Sequence, residues 1–493
     1  LSGSFWEFMD ALPPVGSNIN ILSWIHGHRL HCEKCKNVSA EWLPRASRSD
    51  VSLRYKEAFA VGCYGARCVA YLLKGYSPLL TEDVPKFKHT NYKSMFSCRG
   101  VKQAWAKQLR VPGVFGKGNS SYLNPLTGSE KYIDVMRSRE DPDYVPKCRV
   151  CFDGSVEINP RLAEWRFRCE DFVATSQHLK PNECYASVDI EGFFLRLPMS
   201  TWFTKHLSFK DPLNGDIKCY LTSPFGLSTS PACASAVSAE ARKITLARCS
   251  LKGLHPAVHT YVDDFLIRDK HKHKVIKETT ETETTLADLG LPSASSKTTQ
   301  ATRNTQHLGR GIDSKLQIIT IKRQHKHHAQ NLMAKLLDEG LSSRDMHHLC
   351  GLLNYIEPAA FASRPRIRPF WLHLKLLKKA KRKRNVLSSS LLIDATWWLG
   401  TFLQGLPALS AQWLNPNTMD TACAMTDASG DIGGGAWIDA QLRSTIWNGS
   451  LQEKSVAFKE LCTAVQLIYL KREKLRKKCL YLFSDSISNV HAF

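Results

Sequence analysis

The chain has 493 residues, 43% of them hydrophobic, enough for three or four domains with buried cores. Lys and Arg number 67 against 45 Asp and Glu, a net charge of +22 with His neutral. That surplus favours a polyanionic partner, nucleic acid ahead of an anionic membrane surface. No apolar stretch of about 18 residues spans a bilayer and no basic-then-apolar leader opens the chain, which argues against a membrane protein. Leu1 and Phe493 read as cut ends of a larger polypeptide. The 16 cysteines are mostly scattered singly, a pattern of reduced, buried thiols in an intracellular protein rather than a disulfide framework.

Residues 1–140 are rich in Gly, Pro, Ser and aromatics and read as an N-terminal extension of unknown role. Arg54 to Lys74 has a helical pattern that ends near Gly75. Cys32 and Cys35 have zinc-knuckle spacing, with His28 and His31 close by. Cys63 and Cys68 lack that spacing, and a long helical pattern intervenes, so unrelated core cysteines are the favoured reading.

In residues 141–325 short β-like runs alternate with helical patterns, which predicts an α/β or α+β domain. Val188-Asp189-Ile190 and His259-Thr260-Tyr261-Val262 are strand-like, and Phe265-Leu266-Ile267 resumes the apolar run after Asp263 and Asp264. An apolar run broken only by two acids predicts a hairpin with the acids at its turn. Pro231 to Leu251 predicts an Ala-rich helix. Carboxylates from two such strands can converge on a pair of divalent metals about 4 Å apart, which in-line phosphoryl transfer requires.

Residues 326–418 are helical in pattern. Leu332, Leu336 and Leu337 share one face, and Leu349, Leu352 and Leu353 another. The run Lys375, Lys378, Lys379, Lys381, Arg382, Lys383, Arg384 reads as a solvated face, a contact with a nucleic-acid backbone, or a nuclear-import signal. In residues 419–493 a strand-like Ala422–Thr426 leads to Asp427. A hairpin at Gly433-Gly434-Gly435, a helix from Ser455 to Lys474 and a strand Leu480–Phe483 ending near Asp485 complete the pattern.

Four residues of YxDD type recur by chance, but their neighbours here do not. Arg149 to Asn159, Asp189 to Phe194, Ser223 to Leu227, Tyr261 to Asp264, Gly290 to Lys297 and Leu308-Gly309 stand in one order and spacing. That order resembles the blocks of reverse transcriptases of retroelements. The phrases "SPFGLSTSPA", "YVDDFLI" and "HLCGLLNYIEP" look most like the DIRS-type branch, and more distantly the Ty3-type elements. The resemblance implies an α+β right-hand polymerase with fingers and palm at 141–325 and a helical thumb or connection at 326–418. It implies an RNA-directed DNA polymerase acting on an RNA template, a DNA primer and dNTPs, with two Mg²⁺ or Mn²⁺ ions per active site and no membrane. An intracellular location follows, nucleus favoured over cytoplasm.

Carried over residue by residue, Asp189 and Asp263 would be the metal ligands and Asp264 a more peripheral third carboxylate. Phe194 would pack under the sugar and select deoxynucleotides, although Phe193 stands where the family has a small residue. Phe225, Gly226 and Tyr261 would line the nucleotide pocket. Lys297 would protonate pyrophosphate, Lys147 and Arg149 would meet the triphosphate, and Leu308-Gly309 would form the primer grip. The fingers depart from the pattern: Asn159 falls one residue late, and Ser155 stands where another Arg is common.

The C-terminal phrases "MTDASGDIGGGAWI", "AFKELCTAV" and "LFSDSISNV" resemble ribonuclease H blocks. Asp427, Glu460 and Asp485 would be that domain's metal ligands, cutting the RNA of an RNA–DNA hybrid. Its fourth acid would lie beyond Phe493, which implies a truncated domain with weakened cleavage. The competing reading of the whole chain is a decayed or domesticated copy that binds nucleic acid without synthesis. An RNA-copying RNA polymerase is disfavoured by Phe194 and by the second acidic set.

Overall fold

The computed structural model describes residues 75–76, 78–89, 99–130, 141, 143–145, 148–163, 167, 169–176, 178–360, 363–380, 387–404, 409–410, 420–438, 441–476 and 478–485. The expected helix at 54–74, the cysteine–histidine cluster at 28–68, Lys147, and Lys381 to Arg384 lie outside the described residues. The chain divides into two compact units, residues 1–172 with 182–311 and residues 173–181 with 312–493.

In the first unit, α1 (Arg99–Leu109), β1 (Phe115–Lys117) and β2 (Leu126–Glu130) precede β3 (Cys148–Phe152). Then come β4 (Cys184–Asp189), β5 (Ser208–Lys210), β6 (Ile217–Tyr220), α2 (Ser230–Leu251), β7 (Ala257–Tyr261), β8 (Asp264–Asp269) and α3 (Lys272–Asp288). Composition upstream of residue 141 conceals α1 and its strands. Val101, Trp105, Val114 and Leu126 nevertheless enter the same apolar core as Val150, Phe152 and Val188. Trp105 also donates to the buried Asp211 at 3.1 Å, so its indole N–H is satisfied within that core.

The central sheet is antiparallel with order β4-β8-β7. Val188, Phe265, Ile267 and Val258 alternate onto one face. They share a core with Val237, Ala241 and Ile244 of α2 and with Val275 and Leu286 of α3. Alternation sends Asp189 and Asp264, directly opposite one another in the register, to the other face.

One carboxyl buried in this region has no hydrogen-bond partner. Glu278 of α3 is fully buried and neither carboxylate oxygen has a hydrogen-bond partner. Burial, reinforced by Asp269, pushes its pKa up to about 7. The unfolded chain ionises this acid near its ordinary value while the folded chain keeps it protonated, so stability falls as pH rises from about 4.5 to about 7 and levels off above. Glu278→Gln should therefore raise stability at pH 8 by about 3 kcal/mol and leave it nearly unchanged near pH 4.5. Thermal unfolding of both proteins across that range checks this; equal curves at pH 8 would contradict it.

In the second unit, α4 (Arg323–Asp338), α5 (Ser343–Ile356), α6 (Arg368–Ala380) and α7 (Ser389–Gln404) enclose one apolar cluster. Leu336, Leu349 and Leu353 are buried in it, and Leu332, Leu337 and Leu352 pack at its edge, which follows the predicted faces. Further along the chain, β11 (Asp420–Ala428), β12 (Gly433–Ile438), β13 (Gln441–Ile446) and β14 (Lys478–Phe483) form a sheet of order β13-β12-β11-β14; the earlier strands β9 (Asn304–His307), in the first unit, and β10 (Arg310–Asp313) are neighbours in a separate sheet. β11 and β14 are parallel and the other pairs antiparallel. The helix α8 (Val456–Leu470) supplies the crossover, capped by Ser455, whose Oγ accepts from Phe458 N at 3.3 Å.

The three glycines expected at a hairpin turn lie inside β12 instead. The turn is four residues earlier, where Ser429 N donates to Gly433 O at 2.8 Å and Ser429 Oγ accepts from Ile432 N and Gly433 N. Gly434 is there for packing: a Cβ would stand 2.1 Å from Thr463 Oγ1 of α8. Among the described residues no helix is long and apolar enough to cross a membrane.

Candidate active site

The strands β7 and β8 meet in a two-residue turn, with Tyr261 paired to Asp264 and Val262-Asp263 between them. Val262 has φ 55°, a left-handed conformation that costs a β-branched residue energy. Its carbonyl accepts a short hydrogen bond from Ser238 Oγ of α2, which holds the turn in that shape. The neighbouring strand is tied on as well, since Ile190 N donates to Asp263 O at 3.1 Å. Three carboxylates, Asp189, Asp263 and Asp264, therefore share one end of the sheet.

Their charges interact. Burial and then Asp189 raise the pKa of Asp263. Burial, Asp263 and Asp189 push Asp264 up to about 6. The opposing charge is Lys297, whose Nζ donates to Asp189 Oδ1 at 2.6 Å from an exposed side chain. Its loop is fixed to β4: Ala294 N donates to Asp189 O at 2.7 Å, and Ser187 N to Thr299 Oγ1 at 2.8 Å. An ammonium group already offsets part of this charge; the three carboxylates repel one another, and their oxygens do not all come within 4.8 Å of each other, so a divalent cation held here would draw them closer together.

Around this end the remaining residues fall into place by packing. Phe193 goes into the core at 2% exposure, while Phe194 stays half-buried with its ring 4.9 Å from that of Phe225. Arg149 is exposed on β3, its guanidinium 5.4 Å from the Phe225 ring, and its charge reaches Asp263. Gly226 has φ +102°, and a Cβ there would meet Phe152 O at 1.9 Å, so no other residue fits. Asn159 braces this loop: its Nδ2 donates to Gly226 O and its Oδ1 accepts from Ser228 N, both at 2.9 Å. The sequence pattern placed Asn159 one position late, yet its side chain holds the loop. Leu308 and Gly309, with φ 48° and 80°, are the two residues between strands Asn304–His307 and Arg310–Asp313. Two positive φ angles in succession mark a tight hairpin turn.

A second acidic group lies in the other unit. Asp427 is the penultimate residue of β11, Glu460 lies on the sheet-facing side of α8, and Asp485 follows β14. One carboxylate oxygen from each lies within 4.8 Å of the others, the one such group of metal-ligating side chains among the described residues. The parallel pairing of β11 with β14 brings Asp427 and Asp485 to the same end of the sheet.

A three-stranded antiparallel sheet on two helices, with acids at its hairpin tip and an aromatic–glycine loop beside them, defines the palm of a nucleic-acid polymerase. The comparisons give the particular kind. Residues 146–312 match the family described as reverse transcriptase (RNA-dependent DNA polymerase). The chain thus carries a reverse transcriptase domain, the domain of RNA-directed DNA polymerases. No curated protein matches the chain. Among solved structures, a foamy viral protease–reverse transcriptase in complex with double-stranded DNA is 14% identical with a TM-score of 0.54, covering 87% of this chain and 73% of that one. A foamy viral protease–reverse transcriptase with RNA/DNA hybrid gives 14% and 0.53, covering 89% of this chain and 56% of that one. A further foamy viral complex with double-stranded DNA gives 14% and 0.52, covering 93% and 90%. At that identity the likeness is one of fold.

Proposed function

We propose that this chain is the reverse transcriptase of a retrotransposon, most similar to the DIRS type, with an attached ribonuclease H domain. The observation that carries the reading is the placement of Asp189, Asp263 and Asp264 on one end of the three-stranded sheet. Bound there, Mg²⁺ or Mn²⁺, two per site, would neutralise the triphosphate, lower the pKa of the primer 3′-hydroxyl and stabilise departing pyrophosphate. Asp189 and Asp263 would hold the cations and Asp264 would support them. Lys297 holds a proton for the pyrophosphate. Arg149 meets the triphosphate, with Lys147 as its companion from the sequence pattern. Gly226 and Tyr261 line the nucleotide pocket, and Leu308-Gly309 grips the primer.

The RNA template, DNA primer and RNA–DNA hybrid are the expected partners. The +22 charge and the nucleic acids bound by the foamy viral proteins support this. The trio Asp427, Glu460 and Asp485, on a four-stranded sheet backed by one helix, supports ribonuclease H chemistry, with the same metals activating water. Intracellular work in the nucleus fits the basic run after Lys375. The test is extension of a DNA primer on an RNA template by the 493-residue chain, in Mg²⁺ and then in Mn²⁺. Extension in either supports an active enzyme; tight binding with no extension in both would favour a decayed copy.

Phe194 is the proposed sugar gate, since it lies at the rim beside Phe225 while Phe193 is committed to the core. Phe194→Ala should raise ribonucleotide over deoxynucleotide incorporation by about tenfold or more, because a steric block responds to side-chain size. Phe193→Ala should instead destabilise the fold by about 3–5 kcal/mol. Competition between labelled nucleotides measures the first; unchanged selectivity in Phe194→Ala with a change in Phe193→Ala would move the gate to Phe193.

A further inference from the structure

We propose that Glu170 is a positioning residue for polymerisation, fixing the hairpin Tyr261–Asp264 from the open edge of the sheet. The proposal rests on the reading of Asp263 and Asp264 as the residues that hold the catalytic cations. β7 is an edge strand, so its outward N–H groups need partners from elsewhere. Glu170 provides one. Its Oε2 accepts from Thr260 N at 3.2 Å, and its Oε1 lies 3.0 Å from His259 Nδ1.

The direction of these bonds is determined. Arg268 Nε can only donate, and it reaches His259 Nε2 at 3.0 Å. His259 Nε2 therefore accepts, and its Nδ1 carries the proton given to Glu170. Arg268 is itself anchored, with Nη1 on both oxygens of Glu183 at 2.7 and 3.0 Å. Arg242 of α2 completes the set, donating to Glu170 Oε2 at 3.3 Å. Burial acts to raise the Glu170 pKa, but the His259 hydrogen bond, the Arg242 charge and the Thr260 amide outweigh it and hold it below the ordinary carboxylate value. The carboxylate is charged at every working pH.

Ser238 and Arg242 are four residues apart on α2 and share one face of it. One turn of that helix holds the Val262 carbonyl, and the next holds Glu170, which holds His259 and Thr260. The tethers land on residues 259, 260 and 262, on both sides of Tyr261 and immediately before the acids. Strain at Val262 persists only where surroundings over-determine the backbone. A loosened hairpin would keep its acids but lose their placement, and a displacement of about 1 Å can cost about a hundredfold in rate.

The test uses the full chain in single-turnover addition of one dNTP. Wild type must extend and Asp263→Asn must not; a failure at that step strikes the hairpin assignment and leaves Glu170 out of it. Glu170→Ala should then lower the maximal rate by about 10- to 100-fold. Apparent dNTP affinity and primer–template affinity should stay within about twofold. Glu170→Gln, which keeps an acceptor oxygen, should recover part of the rate. Ser238→Ala should also lower the maximal rate, and the double variant should lose less than the product of the two single losses, because both act on one hairpin. Amide exchange across residues 257–266 should rise in each. An unchanged maximal rate in both Glu170→Gln and Ser238→Ala, a loss confined to dNTP or template affinity, or fully multiplicative losses would overturn the proposal. Should Glu170→Ala fail to fold, the Gln and Ser238 variants decide.

Discussion

Asp263→Asn should abolish primer extension while leaving primer–template binding close to that of the unsubstituted chain. The amide has the shape of the carboxylate, and Asp263 meets Ile190 through its backbone carbonyl, so the hairpin tie survives. What disappears is one of three mutually repelling charges on the acid-bearing end of the sheet. Transition-state charge stabilisation at such sites is worth several kcal/mol, so a loss on the order of a thousandfold is expected. Binding depends on Lys and Arg contacts with phosphates spread over the surface and should change little. Rapid-quench extension and fluorescence anisotropy on the same hybrid measure the two quantities. Extension near the wild-type rate would remove Asp263 from the site.

Asp427→Asn should produce the complementary phenotype. The trio Asp427, Glu460 and Asp485 brings three carboxylate oxygens within 4.8 Å. Such a cluster is stabilised by a divalent cation, and removing one charge should weaken Mn²⁺ binding there by about tenfold or more. Calorimetric titration of Mn²⁺ into an Asp263→Asn background isolates this set from the palm. Cleavage of RNA in an RNA–DNA hybrid should fall with Mn²⁺ affinity, and primer extension should persist when Asp427 alone is changed. Cleavage indifferent to both Asp427 and Asp485 would separate the trio from ribonuclease H chemistry.

Much of this architecture was legible because it is local. The apolar runs around Asp189 and around Tyr261–Asp264 predict strands, and the two-acid break between apolar runs predicts the turn that the fold contains. The helix at 230–251 and the leucine faces of α4 and α5 follow from composition and period. The glycine run at 433–435 was misleading because its reason is tertiary: α8 approaches too closely for any side chain at Gly434. Glu170, His259, Arg268 and Glu183 were illegible for a related reason. Each is an ordinary polar residue in its own segment, and Glu170 meets His259 across 89 positions of sequence. Short strands before residue 141 were hidden because strands of two to five residues leave little periodic signature.

The most direct test of the central claim is addition of a single nucleotide to a DNA primer on an RNA template whose next base is varied. RNA-directed synthesis at Asp189, Asp263 and Asp264 predicts that the dNTP added is the complement of each RNA base in turn, and that Asp189→Asn removes all four additions. Addition that ignores the template base, or additions that survive in Asp189→Asn, would contradict it.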